Sequence, residues 1–554
     1  MIRKHTILLA FLAAAAIGQA QGILGGHVTG NIAVDGQMSS ADATIGAEDV
    51  PEKLLLNSRA DVFYSNGGFS AGLRFEMYQN PLLGFDSDWK QGQGLANYFV
   101  AYSTEKLSVT AGNFYEQFGS GMILRSYEDR YLGIDNSLFG LNVQYRPVAG
   151  ITVKALAGRQ RLYWDYVESL VRGVDAEVNL NNILTPLQES PLHITVGAGF
   201  VSKYEDDESI IASANPEYRL NLPLNVGAAA FRLDMGYGHW GLQAEYARKG
   251  QDPSVMNNYI FREGEALTLN LTYSQRGFST NLQCKHVDNM AFKSLRSREG
   301  QMAYINYIPA INKQHTYALL SMYPYATQTV GENGLQADVI YKIKKNTLLG
   351  GKYGTDLHLN TSVITSLHTD SLGGRGTEGY HIDWFDNGGI YYGDLSVEVA
   401  KKLSPTLKLV ATYAYQVFNP VVEEPATTDG LHHNNIVVAD LTWKVHKGHS
   451  LRFEAEWLGS DSRYDDVNDP RAGDWIMGLV EWNIGSHWFL SASDQYPYND
   501  GSGNYYNVAV GYTHDATRLQ IAFGKQRRGM LCIGGVCREV PASNGLTFSL
   551  TTNF

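Results

Sequence analysis

Between residues 112 and 136 the chain reads GNFYEQFGSGMILRSYEDRYLGIDN. Arg125, Glu128, Asp129, Arg130 and Asp135 fall within eleven residues, balanced in sign. They follow Gly119 and Gly121, which permit unusual backbone dihedrals. Two later stretches carry the same mixed charge. GRQRLYWDY supplies Arg159, Arg161 and Asp165, and VRGVDAEVN supplies Arg172, Asp175 and Glu177. Facing sets of charge inside a tube select the ions that pass. The expected chemistry is therefore pore lining. Residues 112–136 fold inward as a constriction, and Arg125, Glu128, Asp129, Arg130, Asp135, Arg159, Arg161, Arg172, Asp175 and Glu177 line the passage. The competing reading pairs the same charges with one another, bracing the polar inside of a large barrel.

Other chemistry finds little support. There is no GxSxG, no HExxH, no P-loop and no Cys/His cluster with metal spacing. No catalytic residue, metal or cofactor is expected. His432 and His433 are adjacent, and neighbours in a strand point to opposite faces, which makes a poor single-metal site. The acidic stretches YEDDES (204–209) and DSRYDDVNDPRAGD (461–474) hold enough carboxylates for Ca²⁺, but the spacing of an EF-hand loop is not met. They read as solvated surface. Cys532 and Cys537 flank Gly534 and Gly535 in MLCIGGVC. In an exported chain that spacing reads as a disulfide closing an external loop over 526–541. Cys284 stands alone and reads as a small packing residue.

Export itself is read from the N-terminus. Arg3 and Lys4 precede ILLAFLAAAAI, and small residues offer cleavage after Ala20. That is a secretory signal peptide over 1–20, since the apolar run is too short to span a membrane. Losing Arg3 and Lys4 takes the formal charge from -12 to -14. A nucleic-acid binder would need a basic stripe, so nucleic acid is excluded as a partner.

The elements that must position these charges are strands. The chain has 34 Tyr and only 16 Pro, and its composition leans towards β-structure. In LRFEAEW, Leu451, Phe453, Ala455 and Trp457 oppose Arg452, Glu454 and Glu456; the final GLTFSLTTNF alternates in the same way. Short turns such as SNGG (65–68), GYGH (236–239), NKQH (312–315) and IGSH (484–487) join consecutive runs. Longer polar segments lie between them at 79–92, 203–222, 250–262, 287–299, 357–387, 419–432, 459–473 and 496–503. Short turns alternating with long loops describe a membrane barrel with short periplasmic turns and long external loops. The expected fold is all-β: a single transmembrane antiparallel up-and-down β-barrel over 21–554, of about 26 strands (24–26), as such barrels allow. Trp457, Trp482, Trp488, Tyr505 and Tyr512 are expected in its aromatic girdles.

An alternating last strand ending in Phe554, with Phe548 and Leu550 on the same face, resembles the signal read by the barrel assembly machinery. The stretches IGAEDVPEK (45–53), 112–136, VRGVDAEVNLN (171–181) and GMLCIGGVCREVPASNGLT (529–547) resemble an uncharacterised family of outer-membrane barrels from Bacteroidota. That resemblance implies outer-membrane location and contact with outer-membrane lipid, and carries no settled activity. The leading functional expectation is a porin-like channel or transporter for a solute or lipid. The second is a scaffold or secretion-associated barrel that binds an unidentified protein partner. The third is a surface barrel hydrolase.

Overall fold

A computed structural model describes residues 25–90, 92–206, 210, 217–374, 376–423, 430–462, 471–498 and 503–554. The signal peptide, half of the first acidic stretch (207–209) and most of the second (463–470) lie outside the described residues. The rest closes into an antiparallel barrel of 24 strands with two extra strands outside its wall. Each wall strand pairs with its neighbour in sequence, as in the hairpin of Leu55–Asn66 with Phe69–Asn80. Closure comes from the first strand, His27–Ser40, pairing with the last, Ser543–Asn553, from Asn31 opposite Asn553 to Ser40 opposite Asn544. Gly30 and Phe554 complete the seam with reciprocal backbone hydrogen bonds of 2.9 and 3.0 Å.

The wall is inside out relative to a water-soluble core. In Leu451–Trp457, Phe453 and Trp457 are 39% and 41% exposed, while Glu454 and Glu456 are 6% and 4% exposed. Around the short-turn end many exposed outer residues are aromatic. Tyr237, Trp240, Tyr341, Trp443, Trp482 and Trp488 stand there, and Trp240 leans on Tyr273 at 4.7 Å. Tyr512 joins them beside Trp488, at 4.5 Å. Trp457 faces outward near the opposite end. Tyr505 does not belong to a girdle: it is 5% exposed and packs inward against Trp475.

Two parts of the wall differ from the sequence expectation. NKQH (312–315) is no hairpin turn. It lies in an irregular segment, 289–330, between strands Phe278–Asp288 and Gly331–Ile343, where a further hairpin was expected. The stretch 357–387 is no loop either. Strands Thr355–Ser371 and Tyr380–Lys402 run through it. Residues 368–371 and 386–390 are exposed on both faces, so their polarity carries no period and reads as loop.

Glycine lets neighbouring wall strands approach closely. Gly112 pairs with Gly140, and Gly140 with Gly158, across three neighbouring strands. A Cβ at Gly140 would meet the Ala157 carbonyl oxygen at 2.0 Å. Overpacking at such a point costs about 1–3 kcal/mol. Gly140→Val is expected to lower the urea midpoint of the detergent-solubilised barrel, read by tryptophan fluorescence. Gly478→Ala, where a Cβ would meet nothing within 4 Å, is expected to leave it unchanged.

Candidate functional site: an occupied lumen

Alternation places Arg59, Asp61, Arg74 and Glu76 on the inner face of the second and third strands. Three arginines and four carboxylates interlock there. Arg59 bonds Asp61 at 2.8 Å and also contacts Glu128. Arg74 reaches Asp61 at 2.6 Å, Glu128 at 3.0 Å and Asp135 at 3.2 Å. Arg161 bonds Asp135 at 2.6 Å and Glu76 at 2.7 Å, and donates to the Tyr163 carbonyl at 2.8 Å. Tyr115 donates to the second Asp135 oxygen at 3.0 Å. Burial raises the carboxyl pKa of Glu128, against the opposing pull of Arg74 and Arg59. The network ties residues 115–137 to the wall.

The other sequence-expected residues scatter. Arg125 sits between the rings of Tyr307 and Tyr127, 4.0 and 4.6 Å from their centroids. Asp129 accepts from the amides of Tyr131 and Leu132, both at 2.9 Å, and so closes a local turn. Arg130 makes a half-exposed pair with Asp35 at 3.1 Å. Asp175 grips Arg232 through both oxygens, at 2.7 and 2.9 Å, and Glu177 stands inward beside that pair. Arg159 and Arg172 do not line the lumen. Both are exposed on the outer face, because Gly158 and Gln160 take the inward positions of one strand and Val171 and Gly173 those of the next.

Sequence reasoning missed the larger occupant, residues 289–330. It crosses the lumen from one wall to the other. Near one wall, Met290, Phe292, Ile305 and Ile308 pack with Phe118, Met122, Ile123 and Leu124 of the first inward segment. Near the other, Leu319, Leu320, Met322 and Tyr323 pack on Phe418, Ile436, Leu458 and Trp475. The two segments are stitched by Arg125 N to Ile305 O at 2.8 Å and Tyr307 N to Gly121 O at 3.0 Å.

Inward side chains of the wall hold the backbone of this segment. Lys249 donates to Ala291 O at 2.6 Å, Lys203 to Lys293 O at 2.7 Å, and Lys285 to Pro309 O at 2.7 Å. Gln160 donates to Tyr304 O at 2.6 Å and Gln416 to Leu320 O at 3.0 Å. Glu456 accepts from the amides of Ala318 and Leu319, at 3.0 and 2.9 Å. Within the segment, burial lowers the Lys293 ammonium to about 7, while it donates to Arg298 O and Gly300 O, each at 2.6 Å. A signal for these clamps was present: Lys, Gln and Glu at the polar positions of alternating strands.

Cys532 and Cys537 are bonded, in a hairpin of Gly529–Ile533 with Val536–Val540. The hairpin folds over the lumen. Tyr307 donates to Gly534 O at 2.5 Å and Thr327 N to Gly535 O at 2.9 Å. Space remains among the described residues of the lumen. One cavity of about 350 Å³ lies between the charged belt, the seam strands and this hairpin. Another of about 650 Å³ is lined by Arg232, Asp234, Gln243, Glu245, Asn270 and Lys285, among others. His432 turns inward towards Tyr323, and His433 outward to Asp461 at 2.7 Å. Cys284 lies on the outer face, opposite Leu269 and Leu335. Among the described residues, no three His, Cys, Asp or Glu side chains are arranged to hold a metal ion.

The architecture defines a closed up-and-down barrel whose lumen is occupied by its own chain. The chain belongs to a family of unknown function (DUF6029), whose model matches residues 1–554. No curated protein matches the sequence. Among solved structures it is similar to the siderophore receptor PirA from Pseudomonas aeruginosa, 11% identical, with a TM-score of 0.42 over 95% of this chain and 80% of that one. It is also similar to OccAB4 from Acinetobacter baumannii, 10% identical, with a TM-score of 0.34 over 85% of this chain and 97% of that one.

Removing one partner from a buried charge network strands the others, at about 3–5 kcal/mol, whereas an exposed pair contributes about 0–1 kcal/mol. The side chains of Arg161, Glu76 and Asp135 are 2%, 4% and 6% exposed, against 37% and 33% for Arg130 and Asp35. Arg161→Ala is therefore expected to lower the urea midpoint strongly and Arg130→Ala hardly at all. Equal effects would refute the assignment of the belt as the anchor of residues 115–137.

Proposed function

We propose that the protein spans an outer membrane and acts as a channel or transporter whose lumen is narrowed by its own inward segments. The inverted wall carries this reading: an apolar exterior with an aromatic ring at one end suits lipid, and a charged interior suits water. The N-terminal leader and the terminal Phe554 support export and delivery to the barrel assembly machinery. The resemblance of 112–136 and 529–547 supports a Bacteroidota source. The solute is small and carries polar or charged groups, because Asp, Glu, Arg, Gln and Asn stand among apolar side chains in the space left beside the inward segments. The anchored filling of the lumen favours a second reading, a scaffold that never conducts and whose loops or short turns hold a protein partner.

Planar bilayers separate the two. The wild type is expected to conduct weakly, and a variant with residues 291–328 replaced by a short Gly-Ser linker to conduct several-fold more. Silence from both the wild type and the linker variant, with each barrel shown to be folded, would sink the channel reading and leave the scaffold.

A further inference from the structure

The two arginines that leave the lumen carry the inference. Arg159 and Arg172 occupy adjacent strands on the same outer face, with Arg172 directly opposite Ala157. They lie near the long-loop ends of Ile151–Leu162 and Leu170–Asn179. The Arg172 guanidinium donates to Asn225 Oδ1 at 2.7 Å. Among the described residues neither arginine has a carboxylate within ion-pair reach. An unpaired cation on a lipid-facing wall costs about 2–4 kcal/mol at mid-depth and less near the interface. Two side by side call for an anion.

Beside them the wall is hollow. A groove of about 640 Å³ runs along the outer face, lined by Leu141, Val143, Ala155, Ala157, Val174 and Phe200, with Arg172 and Asn225 on its rim. It exists because the side chains at Ala155 and Ala157 are short, while Val174 and Phe200 stand out at 54% and 48% exposure. The backbone beneath is committed to the strand ladder. The floor therefore offers an occupant contact without hydrogen bonds, which suits a hydrocarbon chain and not a peptide.

We propose that this face binds one acyl lipid with an anionic phosphate headgroup, its chain in the groove and its phosphate between Arg159 and Arg172. Guanidinium forks match phosphate oxygens geometrically, and both arginines keep free donors for them. The site rests on the membrane reading above.

Native mass spectrometry of the detergent-purified barrel tests it, with dioleoyl phosphatidic acid and dioleoyl phosphatidylcholine as probes. The wild type is expected to retain phosphatidic acid about tenfold better than phosphatidylcholine. R159Q/R172Q should reduce phosphatidic acid to the phosphatidylcholine level. Ala157→Trp, which fills the groove from an exposed position, should weaken both lipids, and inorganic phosphate should not compete. Equal retention of the two lipids by the wild type, undiminished phosphatidic acid binding by R159Q/R172Q, or displacement by inorganic phosphate would overturn the site. Heat-modifiable migration in gels reports whether each variant is folded. A barrel that needs detergent yet shows no lipid preference would overturn the groove assignment and leave the membrane reading intact.

Discussion

An irregular chain inside a barrel has no ladder of its own, and every buried carbonyl and amide along it needs a partner. The inner wall supplies them. Lys203, Lys249, Lys285, Gln160, Gln416 and Glu456 reach in from strands on both sides and bond the backbone of 289–330 directly. Hydrogen bonds to charged groups contribute about 1.5–3 kcal/mol each. The ammonium groups are themselves deeply buried, and acids answer two of them: Lys203 meets Glu205 at 3.0 Å and Asp252 at 2.9 Å, and Lys285 meets Glu332. The filling of the lumen thus depends on charges that lipid would penalise at mid-depth on the other side of the same strands.

The same constraint explains the spacing of small residues. A wall strand has one lipid face and one lumen face, and only the lumen face must accommodate packed chain. Gly173 lies against the ring of Phe118, where a Cβ would come within 2.9 Å. Gly112, Gly140 and Gly158 let the backbones of neighbouring wall strands come close: a Cβ at each would meet the carbonyl oxygen of Tyr98, Ala157 or Phe139. On the lipid face, Gly36 and Gly30 instead accept the rings of Phe548 and Phe554 across the seam. Ring over glycine buries edge backbone that would otherwise meet the bilayer.

The period of the strands was readable directly, because two solvents act on alternate residues. The fold class, the seam strand and a strand number within the expected range followed from that beat. Of the lumen's contents, the inward course of 112–136 was legible from its break in the strand rhythm, but 289–330 was not. In 289–330, TYALLSMYPYA is apolar without a period, and NKQH has the composition of a turn, so the segment imitates a hairpin. Its identity as a lumen segment depends on contacts with strands far away in sequence. The lining residues illustrate a second failure. Arg172 and Asp175 have opposite parity, so alternation parts them, and charge content hid this. Arg159 and Arg161 have the same parity yet point to opposite sides, because Gln160 and Arg161 are both buried where the strand leaves its regular course. The belt partners Arg59, Asp61, Arg74 and Glu76 were ordinary inward residues until residues 115–137 gave them something to hold.

The seam has a kinetic consequence. Every other wall pairing joins strands that are neighbours along the chain, but Asn31 meets Asn553 across a separation of 522 residues. Loop-closure entropy must be met before such a contact returns any energy, and non-local pairings of this kind fold slowly. Hairpins can form as soon as their two halves are available. Until the last strand arrives, the first strand stands as an open edge able to recruit any foreign strand. The hazardous stage of this protein's life is thus the nearly finished sheet, and protection is needed longest at His27–Ser40.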